Sequence, residues 1–266
     1  MSPREVVWQA AERGVFLLGI TDHDTTEGLA EAGEAAAAAG VVLVPGVELS
    51  ADSESHDIHI LGYFVNPRDG GLQAALAELR RGRNRRNQRI MERLRSVGAP
   101  VSPERVQEIA GAGTVGRPHI ALALLEAGHV GSQGEAFGRY LARGKPAFVA
   151  RERLSPAEAC ATIRSSGGLA VLAHPGKIGS WWVIEEVLAS GVDGIEVFHS
   201  DHSARDAERL LALAQGRSLL VTGGTDSHGP HSERPLAVGD AAVPRSVGEE
   251  LLSRAPEWWQ DSDRRR

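Results

Sequence analysis

The chain has 266 residues, 42% of them apolar and 24% charged, which supplies a sizeable core and excludes global disorder. A net charge of −6 argues against a protein that coats nucleic acid at large. The single cysteine, Cys160, excludes an internal disulfide and a cysteine-rich zinc site, and no apolar run nears the roughly 20 residues that span a bilayer, so no membrane partner and a cytoplasmic location are expected.

Ser2-Pro3-Arg4-Glu5 combines a capping serine, a first-turn proline and an early acid, so a helix is expected to about Arg13, ended by Gly14. Residues 15–20 read as a buried strand, with Thr21-Asp22-His23-Asp24 at its carboxyl end. A second helix is expected over 27–39. Residues 41–47 and 58–65 read as further buried strands, with Glu48 at the end of the first and His59 inside the second.

From 70 to 150 the pattern is helical, with Leu72, Leu76 and Leu79, then Ile90 and Leu94, at helical spacing. One short strand is expected there, at Ala147-Phe148-Val149. Strand and helix then alternate: helices over 156–166, 181–190 and 204–215, strands over 169–173, 195–198 and 219–222. That repeat implies an α/β fold with a parallel sheet curling toward a barrel. The expected organisation is a barrel in two parts, 1–69 and 151–250. A helical subdomain is inserted at 70–150, and 251–266 forms a C-terminal tail, frayed from Trp258 on.

Ligand-type side chains recur where the apolar runs end: Asp22 and His23, Glu48, His174, Glu196 and His199, Asp226 and His228, with His59 inside its strand. In parallel α/β barrels the carboxyl rim is where sites are built. One histidine there is commonly a structural residue. Carboxylates crowded together repel, and each histidine needs a partner; divalent cations answer both needs. The nitrogen and oxygen set suits manganese, zinc or iron alike.

Five segments together resemble the PHP (polymerase and histidinol phosphatase) superfamily of metallophosphoesterases. They are Gly19-Ile20-Thr21-Asp22-His23-Asp24-Thr25, Pro45-Gly46-Val47-Glu48-Leu49-Ser50, His59-Ile60-Leu61-Gly62-Tyr63, Gly168 to Pro175, and Gly224-Thr225-Asp226-Ser227-His228. The resemblance implies a distorted seven-stranded barrel with up to three divalent metals. In it Glu48 bridges two ions, His59 and His174 complete one site, Asp226 belongs to the other, and His23 and His228 hold the third. Asp22 orients a ligand or caps the next helix. Members usually open on a strand carrying His-x-His, whereas Met1 to Glu5 aligns with the segment just after that strand. The expectation is a start upstream of Met1; the alternative is an impaired, binding or regulatory paralogue.

Within the insertion, Gly116-Arg117-Pro118-His119 resembles a phosphate-contacting segment of the nucleoside 3′,5′-bisphosphate phosphatase-like branch. Arginine suits phosphate because its planar fork donates two parallel hydrogen bonds. An exposed helix start is the other reading. His199 is placed to contact the same phosphate, and Lys145 reads as a solvated lysine. His202 reads as the start of the next helix. Arg80 to Arg89 forms a basic run without aromatics for base stacking, so a solvated helix face is favoured over an RNA track. The expected activity is metal-dependent phosphoester hydrolysis, with a small nucleotide or short RNA as substrate. A histidinol-phosphatase-like enzyme is the weaker alternative. Neither a P-loop nor a nucleophile elbow is present, and no DNA-binding module is read.

Overall fold

A computed structural model describes residues 1–53, 56–111, 115–150, 154–229 and 235–263. They divide into two compact units, Met1–Ala74 with Leu154–Arg266, and Ala75–Arg153.

The first unit opens on α1 (Pro3–Glu12). The Glu5 amide donates to Ser2 Oγ and the Ser2 amide donates to the Glu5 carboxylate, a reciprocal cap. Next come β1 (Leu17–Ile20), α2 (Leu29–Ala39), β2 (Val42–Ser53) and β3 (His56–Tyr63). α3 (Gly70–Ser96) is next, its residues from Ala75 on belonging to the second unit. That unit continues with α4 (Pro103–Ala110), α5 (Arg117–Glu126) and α6 (Gln133–Ala136), which runs into a π-helical turn at Phe137–Leu141. The first unit resumes with α7 (Pro156–Ser165), β4 (Leu169–Leu172), α8 (Trp181–Ala189), β5 (Gly194–His199), α9 (Ala204–Gly216) and β6 (Leu220–Gly224). It closes with α10 (Arg245–Ser253) and α11 (Glu257–Asp263).

The six strands among the described residues form one sheet in the order β1-β2-β3-β4-β5-β6. The sheet is mixed, which corrects the expectation of a parallel one: β3 runs antiparallel to both β2 and β4. Only two residues separate β2 from β3, and a parallel return needs a crossover of a dozen or more. The remaining pairs, β1–β2, β4–β5 and β5–β6, are parallel.

Two further expectations are corrected. Ala147-Phe148-Val149 forms no strand. Arg86 Nε donates to the Val149 carbonyl at 2.8 Å and Arg93 donates to that of Phe148, so side chains take the place of a neighbouring strand. Ala147 and Val149 then pack with Ile90, Leu94, Ile120 and Leu124 in a helical core. The C-terminal stretch is not frayed throughout: α11 carries Trp258 and Trp259 onto the cluster of Val44, Phe64, Val171 and Leu220. Two indoles bury enough apolar area to dock so short a helix. Among the described residues no helix is long and apolar enough to cross a membrane.

Gly46 sets how closely β1, β2 and β3 approach. A Cβ there would meet the Gly62 carbonyl oxygen at 2.8 Å, that of Ile20 at 2.9 Å and Thr21 Cγ2 at 2.6 Å. Backbone oxygens cannot rotate away as a side chain can. Gly46→Ala is therefore expected to cost about 2–3 kcal/mol, read as a lower urea midpoint. An unchanged midpoint would mean that the three strands can part freely.

Candidate metal centre

β2 runs past the end of β1, and this extension builds the site. β1 pairs with Val42 to Pro45 only, while β2 continues to Ser53 against β3. Glu48 thus lies inside a strand, not at its end as expected. The Glu48 amide donates to the Asp22 carbonyl and the Asp24 amide to the Glu48 carbonyl, which seats the loop carrying His23 beside Glu48. Glu48 faces Leu61 and Ser50 faces His59, so Glu48 and His59 are diagonal neighbours on one face of the hairpin. His174 follows β4 with φ 27° and ψ 57°, a left-handed conformation costing a non-glycine residue on the order of 1–3 kcal/mol. Its amide donates to Glu196 Oε2 at 2.7 Å.

Three imidazoles surround the Glu48 carboxylate. His59 Nδ1 lies 2.7 Å and His174 Nε2 3.4 Å from Oε1, and His23 Nδ1 lies 3.6 Å from Oε2. The rings continue as a row. His228 is 6.0 Å from His23, which is 4.9 Å from His59. His59 is 5.1 Å from His174, and His174 is 5.5 Å from His199. The Asp226 carboxylate takes Lys177 Nζ at 3.1 Å, with His228 Nδ1 at 3.5 Å and His199 Nε2 at 3.9 Å.

Burial alone would raise the Glu48 carboxyl, but His23 and His59, with the close approach of His174, hold it well below the usual carboxylate range. Burial would lower His59; Glu48 and then Asp57 push it up to about 9. Burial pushes Glu196 up to about 8 against the donation from the His174 amide. Burial, with the charges of Lys177 and His174, takes His199 down to about 4. The Asp201 amide donates to His199 Nδ1, leaving the proton on Nε2, which is buried without a hydrogen-bond partner. Asp22 is raised by burial, opposed by His228. It does not cap α2, whose N-cap is Gly28 with no side-chain bond.

The donor set fits a divalent cation. Glu48 Oε1, His59 Nδ1 and His174 Nε2 stand 2.7, 3.4 and 3.2 Å from one another. Ligands sharing an ion at bonds of about 2.0–2.1 Å stand roughly 3 Å apart. Glu48 Oε1 is buried, with His59 Nδ1 2.7 Å and His174 Nε2 3.4 Å away. His23, Glu48 and His59 form a second overlapping triad, their ligand atoms within 4.8 Å of one another.

Arg117 and His119 belong to the second unit, at the start of α5. The Arg117 guanidinium lies 5.8 Å from the Phe137 ring centre. The Gly116 amide donates to His119 Nδ1 at 3.0 Å, so Nε2 carries the proton, and burial together with Arg83 lowers the imidazole. The basic run is not one solvated face: Arg83 and Arg86 are buried, while Arg81 and Arg85 pair with Glu78. Lys145 is exposed.

Two residues gain a place that the sequence did not show. Lys177 Nζ lies 2.9 Å from Asp201 and 3.1 Å from Asp226; its only local signal is a cation following His174-Pro175-Gly176. His202 does not begin α9, whose N-cap is Ser203; its ring turns back toward Val197 and Gly176.

No family model matches the chain. It is 36% identical over 237 residues to the 5′-3′ exoribonuclease Rnm of Escherichia coli, spanning 86% of this chain and 81% of that protein. It is 35% identical over 246 residues to the 3′,5′-nucleoside bisphosphate phosphatase of Chromobacterium violaceum, spanning 86% and 83%. A solved structure from Bifidobacterium adolescentis, described as a metal-dependent phosphoesterase, superposes with a TM-score of 0.84 at 34% identity, over 96% of this chain and 92% of that one. The ordered motifs, the histidine-ringed glutamate and these relatives agree: the chain belongs to the PHP superfamily of metal-dependent phosphoesterases.

Proposed function

We propose that the chain hydrolyses phosphomonoesters of small nucleotides, releasing the 3′-phosphate of nucleoside 3′,5′-bisphosphates, or acts on the ends of short RNA; relatives named a 3′,5′-nucleoside bisphosphate phosphatase and a 5′-3′ exoribonuclease support this reading. The observation that carries the reading is Glu48, a buried carboxylate ringed by His23, His59 and His174. Glu48, His59 and His174 would hold one ion of manganese, zinc or iron. By the family resemblance, Glu48 and Asp226 would contribute to a second site, and His23 and His228 to a third. When bound, the metal supplies an acidified water and positive charge at the phosphoryl oxygens.

The chain's own groups bind and orient the phosphate. We take the helical subdomain expected at 70–150 as an insertion that carries Arg117 and His119. Arg117 donates paired hydrogen bonds to phosphoryl oxygens. His119 and His199 act as neutral donors through Nε2, since each keeps its Nδ1 for a backbone amide. His199 at about 4 is a hydrogen-bond donor at neutral pH and holds no spare proton for a leaving group.

The test is phosphate or nucleotide release from a nucleoside 3′,5′-bisphosphate and from 5′-phosphorylated tetranucleotide RNA, with Mn²⁺ supplied. Turnover of either supports the reading. Binding without turnover would favour a regulatory paralogue, and turnover of histidinol phosphate alone would favour that branch.

A further inference from the structure

His202 touches neither Glu48 nor the triads around it, yet both of its ring nitrogens are committed to backbone. Nδ1 lies 2.8 Å from the Val197 carbonyl oxygen, and the Gly176 amide donates to Nε2 at 3.1 Å. Only one protonation state satisfies both. A carbonyl can only accept, so Nδ1 carries the proton; an amide can only donate, so Nε2 offers its lone pair. The ring packs 5.3 Å from that of His199. Position 176 is shaped to admit it: a Cβ there would lie 2.6 Å from His202 Cδ2.

The pinned segment is the turn that carries His174. His174 is in left-handed backbone, Pro175–Lys177 forms a 3₁₀ turn, and the Lys177 amide returns to the His174 carbonyl. Such a conformation persists only where its surroundings over-determine it. Glu196 holds the first amide of the turn and His202 holds the third residue's amide. Both come from β5 or the loop directly after it.

We infer that His202 is a positioning residue: its neutral imidazole clamps the Gly176 amide to the β5 segment and so fixes the turn that aims His174 at Glu48 and His59. The clamp acts through His174 and needs no contact with substrate. The inference rests on the reading of Glu48, His59 and His174 as metal ligands.

The test is Mn²⁺ titration of the full chain by calorimetry, with hydrogen exchange followed across residues 174–178. His202→Phe keeps the ring volume without the nitrogens and is expected to weaken Mn²⁺ binding by about tenfold or more and to speed exchange in that segment, with unchanged circular dichroism. His202→Gln offers an amide oxygen to Gly176 and an NH₂ to Val197, and is expected to restore most of the affinity. Gly176→Ala should resemble His202→Phe, and on a His202→Ala background should add little further loss, because one contact is removed twice. Affinity for His202→Phe within about twofold of the unsubstituted chain, on a scale where ligand-orienting partners count for 10–100-fold, would overturn the inference, as would fully additive losses. If the unsubstituted chain itself binds no Mn²⁺, the metal reading fails and takes the inference with it.

Discussion

Glu48→Gln is expected to abolish metal uptake and to lower kcat/KM by more than about 100-fold, beyond the loss from residues that merely orient ligands. The substitution keeps volume and removes only the charge. Glu48 is 5% exposed and is the carboxylate that His23, His59 and His174 all approach. Without it, three imidazoles converge on a neutral amide, and a cation arriving among them meets no compensating charge. Arg117→Ala is expected to leave metal content intact and to act on the substrate, raising KM as a phosphate-binding fork is lost. Elemental analysis of the two purified variants, beside steady-state kinetics, separates the roles. Equal metal loss in both would contradict them.

The residues behind that contrast are unequally legible in the sequence. His174, His199 and Asp226 are conspicuous because each closes an apolar run, and a ligand-type side chain at a buried strand end is a strong pattern. Glu48 is legible as a ligand but not in its place within the strand. β2 is buried along nearly its whole length, so it shows no alternation, and the polar letters after Val47 look like an ending. The direction of β3 is hidden for the same reason: the apolar runs 41–47 and 58–65 leave ten residues between them, and only the full strand extents, two residues apart, forbid a parallel return. Ala147 to Val149 has strand composition, but Arg86 and Arg93 satisfy its backbone from a helix more than fifty residues earlier. Lys177 with Asp201 and Asp226, and His202 with Gly176, are likewise contacts between distant segments, which no local periodicity encodes.

Chelation is expected to reduce hydrolysis to background and to make the stability of the chain depend on pH in a way that added metal erases. In the metal-free chain a proton does part of the cation's work. His59 is raised to about 9 by Glu48, so at neutral pH it stays protonated beside the carboxylate. A raised histidine contributes stability that is complete below its unfolded value near 6.5 and is lost as pH rises through about 9. Across that window the loss is at most about 1.4 kcal/mol per pH unit. The depressed Glu48 gives the opposite limb: stability present above the ordinary carboxylate range and lost as pH falls through its lower folded value. Both limbs report one interaction and are counted once. A bound divalent ion takes the place of the His59 proton, so loading near pH 7 should release protons into solution and flatten the alkaline limb. Denaturant midpoints from pH 6 to 9.5, with chelator and with Mn²⁺, measure this directly. An alkaline limb of equal slope in both would show that the cation does not bind at His59.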